Sequence, residues 1–291
     1  MNASELILNA DGSIYHLALH PEQVAPTIIT VGDPDRVGKV SSRFDRVEHR
    51  VHKREFVTHT GWVGDQRLTV ISTGIGTDNV DIVMNELDAL MNIDLQRSQP
   101  LDKPSSLTFI RIGTTGGLQA ELPAESWVAS SGAFGLDGLL QFYRAPDMQQ
   151  HPAVLALRQH CAGRWHFPVG PYFAEGDAAL LRAFSTDFHQ GLTLTNSGFY
   201  GPQGRRLRAD VAMGDYLDMF VDFDFEGNKV LNLEMETSAL YGLGRLLGHR
   251  AVSLSVILAN RALGTFSQNP GRAVERLIEH TLQKISEGVL K

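Results

Sequence analysis

The chain has 291 residues, 43% of them hydrophobic and 20% charged, with a formal net charge of −7. That balance argues against nucleic acid or an anionic membrane as the main partner, since both select a cationic footprint. An anionic substrate would have to be held by arginines gathered locally.

The opening "MNASELILNADGS" has neither a basic region nor a long apolar run, so it does not read as a signal peptide. The longest apolar stretch, Ala251 to Ala259, is far short of a membrane span. The single cysteine, Cys161, excludes an internal disulfide and fits a reducing compartment, so the cytoplasm is the expected location. Within "RQHCAGRW" it reads as a small core filler rather than a nucleophile.

"TIITVGDPDR" predicts a strand to Val31, then a turn at Gly32 and Pro34 that delivers Arg36. "HKREF" places Arg54 in an apparent strand. "RLTVISTGIGTDN" predicts a strand to Thr73 followed by glycines at 74 and 76. Val80, Val83, Met84, Leu87 and Leu90 then recur near helical spacing, with Asp78 as N-cap. Asn92 to Ser106 is polar and proline-containing, a surface excursion between that helix and the next strand.

"LTFIRIGTTGG" predicts a strand from Leu107 to Ile112, carrying Arg111 near its end. Gly113, Thr114, Thr115 and Gly116 read as a tight loop in which backbone N–H groups and threonine hydroxyls converge on an anion. A glycine-rich turn after a strand is more often only a turn, and an arginine at a strand end more often a solvated charge. "ESWVASSGAFG" and "GLTLTNSGF" predict further strands, with "HPAVLALRQHCAGR" as a helix between them.

The stretch "GFYGPQGRRLR", Gly198 to Arg208, sets two aromatics before a Gln and three arginines. It is either a solvated connection or a flat slot for a planar polar ring. "VLNLEMETSALYGLG" passes from strand to helix at Glu234, Met235 and Glu236. If the strand holds that far, both glutamates share a side and can accept from a sugar diol. Otherwise they complement the helix dipole. "AVSLSVILAN" and "GRAVERLIEHTLQKISEGVL" close the chain as a strand and a long helix.

Alternating strands and helices indicate an α/β protein with a mainly parallel or mixed sheet covered on both faces. No linker, low-complexity tract or repeat divides the sequence, so residues 1–291 are expected to form one domain. Ligands of such sheets bind beyond the carboxyl ends of the strands.

Taken together, "YHLAL", "VGDPDRV", "HKREF", "ISTGIGTDN", "RIGTTGGLQ", "GFYGPQGR", "NLEMETSAL" and "VILANR" resemble the nucleoside phosphorylase superfamily, its uridine-cleaving members most of all. They occur in family order over roughly Tyr15 to Arg261. The resemblance implies a single-domain, three-layer α/β/α fold with a central mixed, twisted sheet. It implies phosphorolysis of a pyrimidine nucleoside such as uridine to free base and ribose 1-phosphate, with inorganic phosphate as co-substrate and no resident cofactor or metal.

Carried over by motif, Gly32, Arg36, Arg111 and Thr114 bind phosphate, joined by Arg54 from a neighbouring subunit. Glu234, Met235 and Glu236 hold the ribose, and His16 reaches its 5′-hydroxyl across a dimer interface. Phe199 packs on the base, Gln203 pairs with N3–H and O2, and Arg205 donates to O4. Arg111, Arg205 and Glu236 are then the catalytic set. The resemblance also implies a homo-oligomer, at least a dimer and commonly a hexamer, with a monovalent cation near Glu55 and Ser72.

Purine-specific relatives carry an aspartate where this chain has Asn260 and Arg261, which implies a pyrimidine preference. A nucleosidase or a purine nucleoside phosphorylase of the same fold is the alternative. Gly201-Pro202, "ALGTFSQNP" and the 92–106 excursion depart from the bacterial uridine enzymes.

Overall fold

The computed structural model describes residue 2 and residues 4–164, 169–184, 186–213 and 216–290. β-Branched runs form the strands, because Val, Ile and Thr fit a pleated, packed surface. Ten of them matter for the site. They are β1 (Thr27–Val31), β2 (Arg46–Lys53), β3 (Phe56–Val63), β4 (Gln66–Ser72) and β5 (Thr108–Gly117), then β6 (Trp127–Gly135), β7 (Tyr172–Glu175), β8 (His189–Thr195), β9 (Asn228–Glu234) and β10 (Arg250–Asn260).

The main path through the sheet is β9–β8–β6–β10–β5–β1–β4–β3–β2, with β7 on β6. β10, β5, β1 and β4 run parallel, and β2 and β3 are antiparallel additions at one end. The sheet is therefore mixed, as expected.

Adjacent residues along the central strands point to opposite faces and into different cores. Ile28, Ile71 and Phe109 pack with Val83 and Leu87 of α2 (Thr77–Asn92) and Leu240 of α4 (Thr237–Leu247). Ile29, Val70 and Ile110 pack instead with Val37 of α1 (Pro34–Ser41) and Leu277 of α5 (Pro270–Ser286). Helices thus cover both faces, giving the three expected layers. α3 (Pro152–His160) leads to Cys161, which is fully buried among apolar side chains. Burial pushes its thiol pKa up, consistent with a filler.

The sheet also curls back on itself. β5 leaves β1 after the Thr30–Arg111 pair, and its last residues, Gly116 and Gly117, pair antiparallel with Leu233 and Asn232 of β9. Five strands therefore close a ring, which brings the carboxyl ends of β5 and β9 together.

Four local expectations are corrected. Residues 113–116 are not a tight loop: β5 runs on to Gly117, held by β10 with Ser255 opposite Gly113 and Val256 opposite Thr114. Arg54 lies in the two-residue turn between β2 and β3 at φ 56°, not in a strand. Gly76, not Asp78, is the N-cap of α2. β9 ends at Glu234, so Glu236 is the N-cap of α4 rather than a strand residue. The 92–106 excursion is a polar loop as expected, pinned by a short pairing of Ile93–Asp94 with Gln99–Pro100. Among the described residues no helix is long and apolar enough to cross a membrane.

Candidate active site

Arg111 is the centre of the site. It is 6% exposed, and its Nη2 donates to Glu236 Oε2 and lies 3.4 Å from Glu234 Oε2. Burial alone would weaken its charge, but the Glu236 and Glu234 carboxylates outweigh that and hold its pKa above the ordinary arginine value. Its Nη1 donates to Ser255 Oγ at 3.4 Å.

Gly113 is what gives this guanidinium its place. A Cβ there would sit 1.7 Å from Arg111 Nη1 and 2.6 Å from Cζ. The glycine serves a side chain crossing over a strand, not a turn.

Arg36 comes from the first turn of α1, which Asp33 caps by accepting from Asp35 N at 3.0 Å. Its Nη1 donates to Ile112 O at 3.2 Å. Burial first, and then the charge of Arg111, push its pKa below the ordinary value, with Asp33 and Glu236 partly offsetting. Two partly desolvated guanidiniums therefore lie within electrostatic reach of each other, an arrangement that favours a multivalent anion. Gly32 follows the end of β1, where an added Cβ would meet Gly74 O at 3.4 Å. Thr114 is half-buried on β5.

Glu236 Oε1 accepts from Gly76 N at 2.9 Å, and Gly76 has φ 101°, open only to glycine. Met235 beside it is half-buried. Glu234 is more deeply committed. It accepts from Thr195 Oγ1 at 2.7 Å, Glu236 N at 3.0 Å and Thr237 N at 2.9 Å. Burial raises its pKa, with Arg111 opposing. Its side chain is 2% exposed.

The 198–205 loop makes a second cluster. Arg205 stacks on Phe199 with its Cζ 3.8 Å from the ring centroid. It also donates to Phe199 O at 2.7 Å and to Gln203 Oε1. Phe199 remains 51% exposed, while Gln203 is 3% exposed. Burial and the nearby charge of Arg261 pull Arg205 down to about 10, still cationic at neutral pH.

The role of Arg261 was not read from sequence beyond its bearing on base choice. Its Nη1 donates to Gln203 O at 3.4 Å. Asn260, by contrast, is fully internal, bonded to Gln119 O, Leu122 O and Leu263 N. A cavity of about 490 Å³ is lined by Arg205 together with Asn196, Pro202, Leu207 and Tyr216. Arg36, Arg111 and Glu236 do not line it.

His16 and Arg54 form a third neighbourhood. His16 Nδ1 pairs with Glu86 Oε1 at 2.7 Å, and the amides of His16 and Leu17 donate to the same carboxylate. The ring is thereby tied to Glu86 through Nδ1. Lys53, next to Arg54, donates to Tyr15 O and Asn9 Oδ1, so the two segments share one patch. Among the described residues no hydrogen bond joins His16 or Arg54 to Arg36, Arg111 or Glu236. Ser72 Oγ donates to Glu55 O and accepts from Val57 N at 2.8 Å, tying β3 to β4. No group of three His, Cys, Asp or Glu residues suited to a metal occurs among the described residues.

The model of the phosphorylase superfamily matches residues 26–291. The chain belongs to that superfamily. It is 30% identical over 265 residues to a uridine phosphorylase of Thermococcus kodakarensis, covering 89% of this chain and 81% of the relative. It is 27% identical over 279 residues to the uridine phosphorylase of Escherichia coli, covering 91% and 96%. A solved Trypanosoma brucei nucleoside phosphorylase, described as showing uridine phosphorylase activity, superposes with a TM-score of 0.87. It shares 26% identity over 98% of this chain and 99% of its own.

Proposed function

We propose that this chain is a uridine phosphorylase, cleaving uridine with inorganic phosphate to uracil and ribose 1-phosphate. The observation that carries the proposal is the pair Arg36 and Arg111, two largely buried guanidiniums within electrostatic reach of each other and of Glu236. Phosphate sits there, also bonded by Gly32 N–H and Thr114, and Arg54 of a neighbouring copy completes the cage. Glu236, with Met235, takes the ribose diol, and His16 of the neighbour takes the 5′-hydroxyl. The shared patch of His16 and Arg54 favours one partner supplying both, so a dimer is the smallest active unit and three dimers make the hexamer.

In the reaction the C1′–N1 bond loosens and its electron pair moves into the pyrimidine ring. A phosphate oxygen bonds to C1′ from the opposite face, and the departing uracil anion takes up, through solvent, the proton that the hydrogen phosphate gives up. Arg205, seconded by Arg261, stabilises the charge gathering toward O4, and Glu236 faces the cationic sugar. A side-chain amide is both donor and acceptor, so Gln203 matches the N3–H and O2 edge of uracil. With arginine at 261 and an internalised Asn260, a purine N7 finds no acid.

The chain acts as a single phosphorylase unit over residues 1–291, in the cytoplasm, with a monovalent cation near Glu55 and Ser72 at the dimer interface. The test is to incubate the protein with uridine, with and without phosphate, and follow uracil and ribose 1-phosphate. Uracil release should require phosphate and match ribose 1-phosphate one for one. Phosphate-independent release means a nucleosidase, and turnover of purine nucleosides alone means the purine reading.

A further inference from the structure

The N-cap of α4 does not cap its own helix. Glu236 makes no side-chain bond to the first turn, although an N-cap side chain normally accepts one of the orphan amides there. Those amides are taken from behind. Thr237 N donates to Glu234, and Ser238 N donates to Thr195 Oγ1 at 2.9 Å. Thr195, the last residue of β8, is fully buried, and its hydroxyl donates onward to Glu234 Oε1 at 2.7 Å.

One hydroxyl therefore joins the end of β8, the carboxylate ending β9 and the start of α4. The far side is anchored as well, since Ser238 Oγ donates to Asp137 Oδ2 at 3.0 Å and Tyr172 OH donates to the same oxygen at 2.9 Å. With the helix capped by Thr195 and Glu234, the Glu236 carboxylate is free to turn away from its own helix. One of its oxygens meets Arg111 and the other meets Gly76 N.

We propose that Thr195 is a positioning residue that, through Glu234 and the first turn of α4, aims the Glu236 carboxylate at the sugar and so sets the preference for a 2′,3′-diol. This rests on the uridine phosphorylase reading. Thr195 touches no substrate. Without its hydroxyl, the Ser238 amide and Glu234 each lose a partner, and the Glu236 carboxylate is drawn back toward the amides it would otherwise cap.

The experiment compares uridine and 2′-deoxyuridine phosphorolysis by the assembled wild type, Thr195→Val and Thr195→Ser. Valine keeps the volume and removes both bonds. It should lower kcat/KM for uridine about tenfold or more and reduce the uridine-to-deoxyuridine ratio by about threefold or more. Serine keeps both bonds and should hold the ratio within about twofold of wild type. An equal loss on both substrates in Thr195→Val would overturn the positioning role while leaving the phosphorylase reading intact. A wild type inactive on both nucleosides would sink that reading first and this one with it. Should Thr195→Val fail to fold, Thr195→Ala carries the same ratio test.

Discussion

Replacing Arg111 with alanine should lower kcat/KM for uridine phosphorolysis by about a hundredfold or more, since charged hydrogen bonds contribute about 1.5–3 kcal/mol each and Arg111 is central to the anion space. The same change strands two buried carboxylates, Glu234 and Glu236, that now share its charge. Removing one partner of a buried ion pair costs about 3–5 kcal/mol, because an uncompensated charge remains inside. Thermal unfolding of Arg111→Ala should therefore shift down clearly. Arg111→Lys separates the two effects: it keeps a cation between the glutamates, and so most of the stability, but loses the planar fork that grips an anion. Initial rates and melting curves for both variants check this. Activity within about threefold of wild type in Arg111→Ala would remove Arg111 from the chemistry.

Gly113→Ala should be nearly as damaging to activity and much gentler on the fold. The new methyl would stand 1.7 Å from Arg111 Nη1, 2.6 Å from its Cζ and 3.0 Å from Ser255 Oγ. Gly113 is not among the residues with positive φ, so alanine suits the backbone. What must yield is the far end of a flexible side chain, and that end is the guanidinium proposed to grip phosphate. A loss of about tenfold or more in kcat/KM is expected, because small misplacements of catalytic groups cost that much. The double variant settles the cause. In an Arg111→Ala background the methyl no longer meets a guanidinium and crowds only Ser255 Oγ, at 3.0 Å, so Gly113→Ala should cost little further activity or stability. Additive losses would mean that the glycine is needed for the strand itself.

That glycine also shows where the sequence stops being readable. Residues 113–116 read as a tight loop because glycines usually mark one, yet β10 holds them extended. Nothing local reveals that a guanidinium two residues earlier lies across the gap. The strands ending near Val31 and Ser72 and the helix through Val80 to Leu90 were legible, since their apolar spacing is a property of neighbours in the chain. The partnership of Arg111 with Glu234 and Glu236 was not, because it depends on the sheet curling until β5 meets β9. The motif at 198–205 was legible as a cluster. The stacking of Arg205 on Phe199 and the approach of Arg261 to Gln203 needed the folded loop. The spacing of Glu234 and Glu236 suggested one shared strand face, but the strand ends at the first and the second caps the helix.

The most direct measurement is a crystal structure of the assembled protein with phosphate and uridine, or with phosphate, uracil and a ribose analogue. The account predicts phosphate oxygens on the guanidiniums of Arg36 and Arg111, the sugar diol on Glu236, and Arg205 on pyrimidine O4. Phosphate bound away from Arg36 and Arg111, with Arg205 still resting on Phe199 and the pyrimidine elsewhere, would contradict it.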